Sequence, residues 1–555
     1  MPLGATRSDG DPATKSAPPV ARRILEAFAV AGVRTAFGLP GVHNLSFWRE
    51  TGPGLPRIVG VRHEQTAVYA ADGLARSTGG LGVALTTTGP GAANAAGAFG
   101  EAAASGTPVV LLASEVSTTL ARPGVRRGIL HESRDQAGIF EPLAKAVFRP
   151  RTPEHAATAV AEAIRTAMTS PRGPVYLDVP TDVLSDPGPA VPALSVDRAA
   201  PDEASISALH ALVEGSPRIV LWIGGGAVQA DAGAEVAALA ERLQAPVVTT
   251  FAARGILPAD HPCTVGLPPH EPEVAALIAD ADLMIAVGSD FDGMMTRNWS
   301  MPLPAAMAAI NCDPADLTKN YEPAVAVLAD AKLALRALLA LPGRARPPVE
   351  ERLAGIRTAC WDRLAKDARA AAGLEFLQSV RTATPAGAVV VADMAIPGYW
   401  FGGYGHVDRP RTLQYPVGWG TLGYALPASI GPGVLRDRPV LAVCGDGGFM
   451  FAVGELATLA QERLPVTVLV VDDGGYGMLR YDQDHAGDEH RGVDLVRPDF
   501  AALAESFGIA AARVSGVGPA LAGALAEAMG SGEPRLVVTE AALVPPRTTS
   551  PRWNE

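Results

Sequence analysis

GDGGFMFAVGELATLAQERLPVTVLVVDDGGYG, residues 445–477, is the stretch whose reading decides the fold. VLAVCGDGG, which begins at Val440, has the form of a buried parallel strand, an apolar run closed by a glycine turn. PVTVLVVDDGG from Pro465 has the same form, and GELATLAQERL between them reads as a helix. A strand, helix, strand unit puts both acidic turns at the carboxyl ends of neighbouring parallel strands, where open α/β sheets bind ligands. Asp446 and Asp473 can then reach one ion.

Magnesium takes near-octahedral oxygen ligands, usually one or two carboxylates completed by phosphate, carbonyl or water. Asp446, Asp473, the Gly475 carbonyl and two diphosphate oxygens make such a set. Gly447 and Gly448 let backbone N–H groups approach an anion at the helix start. Four letters GDGG would be no more than a tight turn; the strand context on both sides makes the string a metal and diphosphate site.

The string resembles that of thiamine diphosphate enzymes of the acetolactate synthase-like family. Asp473 departs from the family's usual asparagine, and the added charge still suits a metal. A second tract, IVGVRHEQTAVYAADGLARSTGGLGVALTTTGPGAANAAGAFGEAAASGTPVVLLASE from Ile58, is similar to the family's pyrimidine-binding domain. The resemblance puts Glu64 at the catalytic glutamate, whose carboxylate shares a proton with the pyrimidine ring and so helps the cofactor become a nucleophile. Such proton transfer is worth about 100-fold to 10,000-fold in rate. TTTGPGAANAAG from Thr86 reads as strand, glycine turn and helix start, and no GKS or GKT follows to make it a Walker loop. In QYPVGWGTLGYALPASIG from Gln414, the family implies that Gly420 and Leu422 hold the aminopyrimidine, with the Leu422 side chain bending the cofactor. Glu64 would serve cofactor held by another subunit, which implies a homodimer or homotetramer.

The fold expected is α/β, three consecutive doubly wound parallel-sheet domains. Residues 1–18 read as a flexible tail, 19–185 as the pyrimidine-binding domain, and 186–204 as a proline-rich linker. Residues 205–342 read as a central domain, 343–373 as a linker or helical segment, 374–545 as the diphosphate-binding domain and 546–555 as a tail. A length of 555 residues suits several domains, and 48% hydrophobic with 19% charged residues suits a packed soluble protein. The net charge of −12 argues against nucleic-acid binding. Cys263, Cys312, Cys360 and Cys444 show neither CxxC nor zinc spacing, which points to a reducing compartment. With no signal peptide and no membrane span, a cytoplasmic location is expected.

Other positions bear on cofactor and substrate. GGGA at Gly224 lacks GxGxxG spacing and reads as a structural turn. GSDFDGMMTR from Gly288 puts Asp290 where flavin-binding relatives have an arginine, and a carboxylate repels a diphosphate, so FAD is doubtful. LHES places His131 at the family's glutamine and leaves Glu132. Ile396 and Pro397 replace a QH pair, and Asp482 falls where acetohydroxy-acid synthases carry a tryptophan. FGLPGVHNLSFW from Phe37 and GILHESRDQ from Gly128 resemble the guanidino-oxopentanoate decarboxylase branch. His43, His63 and His131 are candidate acid and base groups, His131 foremost.

The resulting expectation is a thiamine diphosphate and magnesium enzyme that decarboxylates 2-oxo acids and ligates the product to a second carbonyl compound. The alternative is simple decarboxylation to an aldehyde, with 5-guanidino-2-oxopentanoate as one polar substrate. A reading of another class is a non-catalytic cofactor-binding paralogue, against which the joint presence of Glu64, Leu422, Asp446 and Asp473 weighs.

Overall fold

The computed structural model describes residues 17–50, 52–122 and 124–553, so most of the expected N-terminal tail lies outside the described residues. Three parallel sheets follow one another along the chain, which is the α/β organisation expected. The first contains β1 (Thr35–Gly38), β2 (Arg57–Gly60), β3 (Gly82–Thr86), β4 (Val109–Glu115), β5 (Ala146–Phe148) and β6 (Val175–Pro180), in the order β2-β1-β3-β4-β6-β5. The second has the order β11-β10-β9-β7-β8. Its strands are β7 (Ile219–Ile223), β8 (Val247–Thr249), β9 (Leu283–Val287), β10 (Ala306–Asn311) and β11 (Val325–Leu328). The third has the order β13-β12-β14-β15-β17-β16. It is built from β12 (Val389–Ala392), β13 (Leu413–Gln414), β14 (Val440–Gly445), β15 (Val466–Asp472), β16 (Ala510–Ser515) and β17 (Arg535–Glu540).

The first and third sheets share one topology. In each, the chain adds its second strand on one side of the first and all later strands on the other, so the order reverses between β1 and β3 and between β12 and β14. Ligands bind at such reversals, outside the carboxyl ends of the strands. VVVA in β12 and VTVLVVD in β15 are buried along their whole length, the pattern of strands covered by helices on both faces. The register pairs Gly445 with Val471. The two acidic turns that follow therefore leave the sheet side by side.

The N- and C-terminal domains pack together through two helices, Glu64–Thr78 and Ala425–Gly433. Gly73 faces the Ala428 carbonyl and Gly431 faces the Ala70 carbonyl so closely that neither position has room for a Cβ. Gly224 and Gly226 in turn pack on Gly288 at the reversal of the middle sheet, the close approach that the GGGA turn requires. The connection between middle and C-terminal domains carries the helix Glu350–Lys366.

The stretch assigned as a C-terminal tail is packed as far as residue 553. Arg552 and Trp553 are buried, the Trp553 ring stacks on His270 at 6.4 Å, and Arg297 Nη1 donates to the Trp553 carbonyl at 3.3 Å. A terminal aromatic that can cover apolar surface leaves water for the same reason a core residue does. The four cysteines are free, and Cys444 is wholly buried in the strand before the acidic turn.

Candidate active site

At the reversal of the third sheet lies a cavity of about 230 Å³, lined throughout by residues from Met394 onward. Gly420, Leu422, Asp446, Gly447, Gly448, Asp473 and Gly475, which come from three separate turns of the C-terminal domain, all line it. Glu64 and His131 do not.

Asp446 opens the short helix Asp446–Met450 at the end of β14 and is 4% exposed. Burial, and after it the neighbouring Asp473 carboxylate, pushes its pKa up to about 7. Asp473 is also raised by burial, against the pull of Arg480, whose Nη2 lies 2.5 Å from Asp473 Oδ1. The Gly474–Tyr476 turn is pinned by Tyr476 N donating to Val493 O at 2.8 Å and Leu495 N donating to Gly474 O at 2.9 Å. A Cβ on Gly447 would stand 2.6 Å from the Tyr476 ring, and one on Gly448 would stand 3.2 Å from Leu422 Cδ1. Two carboxylates that repel each other beside a floor of bare backbone fit a divalent cation and the diphosphate it holds.

The Leu422 turn is fixed by a residue that the sequence reading passed over. Asp393, fully buried just beyond β12, accepts N–H bonds from Met394 at 2.9 Å, Gly423 at 2.9 Å and Tyr424 at 3.2 Å. Burial pushes this carboxyl up to about 7 while those amides pull it down. The adjoining Thr421 hydroxyl donates to Glu101 Oε2 at 3.0 Å, and Tyr424 OH donates to Asp72 Oδ2 at 2.7 Å. Both acids belong to the N-terminal domain and share Arg76, at 3.0 and 2.7 Å.

A second cluster forms at the reversal of the first sheet. Glu64 begins its helix 7% exposed and accepts a hydrogen bond from Asn94 Nδ2 at 3.0 Å. Gly91 lies over it, where a Cβ would meet Glu64 Oε1 at 3.2 Å. Gly89 adopts a φ of 65°, and its N–H donates to the buried Gln136 Oε1 at 2.6 Å. His131, itself left-handed at φ 68°, meets His43 edge to face with ring centroids 5.1 Å apart. The Nδ1 atom of each of these two histidines is buried without a hydrogen-bond partner. Burial, then His131, lowers the His43 pKa. His63 is a helix cap, accepting from Gln65 N at 3.2 Å, and Glu132 ties its own loop by accepting from the N–H groups of Arg127, Gly128 and Ile129.

One wall of the cavity carries the substrate-side differences. Ile396 and Pro397 make it apolar, and Met478 and Leu479 line it from the helix Gly477–Ala486. Asp482 follows one turn later on the same helix face. Its Oδ1 is buried without a partner, burial raises its pKa, and its charge is felt by Tyr399, another lining residue. Away from the cavity, Glu271, Glu273 and Cys360 form the one further cluster of potential metal ligands among the described residues, and Arg363 already occupies it.

Comparison with known proteins agrees with this arrangement. Residues 19–139 match the thiamine pyrophosphate enzyme N-terminal TPP binding domain, 206–338 the central domain and 394–539 the C-terminal TPP binding domain. A probable 2-ketoarginine decarboxylase of Pseudomonas aeruginosa is 36% identical over 498 residues, 88% of each chain. An acetolactate synthase large subunit of Parasynechococcus marenigrum is 32% identical, covering 89% of this chain and 83% of the relative. Acetolactate synthase isozyme 3 large subunit of Escherichia coli is 29% identical, with 89% of each covered. With all three domain models matched in order and the acidic turns at the sheet reversal, the chain belongs to the thiamine pyrophosphate enzymes.

Proposed function

We propose that the protein decarboxylates a 2-oxo acid whose side chain carries a positive charge, using thiamine diphosphate and magnesium. The observation that carries the substrate choice is the buried, unpartnered Asp482 Oδ1 beside the cavity wall. A carboxylate facing an apolar chain loses hydration and gains nothing, whereas a guanidinium or ammonium restores the lost interaction. The name of the Pseudomonas relative supports the same reading.

When bound, thiamine diphosphate supplies the nucleophilic carbon and the electron sink for the loss of carbon dioxide. Asp446, Asp473 and the Gly475 carbonyl would hold magnesium, and Gly447 and Gly448 would bring backbone amides to the diphosphate. Gly420 and Leu422 would seat the pyrimidine end, in a turn that Asp393 pins at Gly423 and Tyr424. Glu64 would hold a proton toward the pyrimidine nitrogen, and His131, beside His43, would be the group to deliver one to the product. Because Glu64 and the cavity sit at the reversals of different sheets, we assign Glu64 to cofactor held by a second copy of the chain. Trp419 and Phe451, 54% and 55% exposed beside the Leu422 and Asp446 turns, give that copy an apolar surface to cover.

Capture of the decarboxylated product by a second carbonyl compound is the second reading, favoured by the acetolactate synthase relatives. At the carboxyl end of β9, Asp290 pairs with Lys319 at 3.0 Å, and we infer that no flavin is held there. Initial rates with pyruvate, 2-oxobutyrate and 5-guanidino-2-oxopentanoate, each with and without an aldehyde acceptor, test the proposal. The cationic acid should win without needing the acceptor, and Asp482→Trp should shift preference toward pyruvate. Faster turnover of pyruvate by the parent, with no change in Asp482→Trp, contradicts it. The absorption spectrum of the same preparation should show no flavin band.

A further inference from the structure

A cavity of about 600 Å³ lies between the middle domain, the helices Glu350–Lys366 and Ala371–Ala383, and the Gly403–Val407 turn. It shares no residue with the catalytic cavity. Its volume falls within the range of roughly 300–1,000 Å³ typical of organic-ligand pockets. Phe251, Trp361 and Tyr404 give it flat apolar walls. Arg254, Arg357 and Arg381 also line it, and the one acidic lining residue is Asp260, which is exposed.

None of these three arginines has a carboxylate partner among the described residues. Arg254 donates to the backbone carbonyls of Gly402, Gly403 and Gly405. Arg357 Nη1 donates to Thr264 O at 2.7 Å, which leaves the rest of its guanidinium free for a ligand. Arg381, exposed at the mouth of the cavity on the helix Ala371–Ala383, makes no hydrogen bond or ion pair among the described residues and is free to meet a ligand. Burial pushes the Arg254 pKa down to about 10, the mark of an enclosed cation without a counter-charge. In a protein with a net charge of −12, acids are plentiful, yet none has been placed against these three groups.

We propose that this cavity is a second ligand site, which takes an organic anion with a flat ring body. Arg357 and Arg381 would receive the charged group, and Trp361 and Tyr404 the ring. Arg254, already spent on backbone, would add field without direct contact.

The site has a physical route to catalysis. The helix Ile396–Tyr404 lines the catalytic cavity with Ile396, Pro397 and Tyr399, and lines this one with Gly403 and Tyr404. Arg254 binds the carbonyls at the end of that helix, which would otherwise be orphaned. Nine helical residues span roughly 13 Å, so a ligand seated against the far end would bear on the catalytic wall through one rigid element.

Titration calorimetry with AMP as the probe tests the site. The protein is first saturated with thiamine diphosphate and magnesium, so that the catalytic site is not open to the phosphate. One AMP per chain should bind, with adenosine and inorganic phosphate each binding at least about tenfold more weakly. Arg381→Ala and Arg357→Ala should each weaken AMP by about tenfold or more while thermal unfolding stays cooperative. No heat with millimolar AMP, or equal affinity in both arginine variants and the parent, overturns the proposal. Phosphate binding as tightly as AMP overturns the ring component. Trp361→Ala separates a lost ring wall from a misfolded one, because it should weaken AMP and leave phosphate unchanged. Each of these readouts is binding, so the result stands apart from any reading of the catalytic reaction.

Discussion

The two sheet reversals to which we assign the chemistry share one topology, yet they are finished to different degrees. At the C-terminal reversal every wall of the cavity is supplied by one domain, its turns pinned by Asp393 and by the Val493–Leu495 segment. At the N-terminal reversal Glu64 has Asn94, but His43 and His131 leave buried nitrogens unpaired. One half is a preformed cradle and the other a set of groups waiting for something to act on. On the proposal that two chains bring these reversals together, the difference divides them into a holder and an actor.

The largest effect should come from breaking the holder. Asp446→Ala is expected to abolish magnesium-dependent binding of thiamine diphosphate, whereas Asp473→Asn keeps an oxygen ligand and should bind well. Calorimetry of both variants decides this, and parental affinity in Asp446→Ala would remove the metal from that turn. The actor should break differently. Glu64→Gln keeps shape and should leave cofactor affinity within a few fold, while slowing exchange of the thiazolium proton into deuterated water by about 100-fold to 10,000-fold. Unchanged exchange would show that Glu64 takes no part.

A smaller effect compares two buried aspartates, one in the N-terminal and one in the C-terminal domain, both raised to about 7 by burial. Asp393 accepts backbone N–H bonds, so Asp393→Ala leaves them unpaired and should destabilise by about 1–3 kcal/mol for each buried group. Asp178, in β6, has only Arg151 at 3.6 Å, and its Oδ1 lacks a hydrogen bond. Its folded pKa lies above the ordinary aspartate value of about 3.9. The stability it contributes is therefore fully present below about pH 4 and is lost as pH rises through about 7. Asp178→Asn should raise the melting temperature at pH 8 and leave it nearly unchanged at pH 4. Equal shifts at both pH values would show that ionisation is not the cause.

How much was legible in the sequence follows the same division. The holder's ligands lie at the ends of two strands separated by one helix, so periodicity and glycine spacing expose them, and the doubly wound class follows from the same unit. Asp393 was missed because it follows a short strand, VVVA, and acquires meaning only when β12 pairs beside β14. Gln136, which receives the Gly89 N–H from 47 residues away, gives no local signal either. The second cavity is invisible in sequence because its arginines come from three separate segments. The final residues read as a tail because PPRTTSPR, residues 545–552, shows no period, and only the surface of the middle domain gives Trp553 a place to stack.

The central claim, that Glu64 of one chain serves the Asp446 and Asp473 cradle of another, is tested most directly by co-expressing Glu64→Gln and Asp446→Ala chains and isolating the mixed oligomer. Each variant alone should be nearly inactive toward the 2-oxo acid. The mixed oligomer contains sites in which both residues are intact, and the account predicts that a substantial fraction of parental activity returns. Activity no greater than that of the two variants measured separately would mean that Glu64 and the cradle act within one chain, and would contradict it.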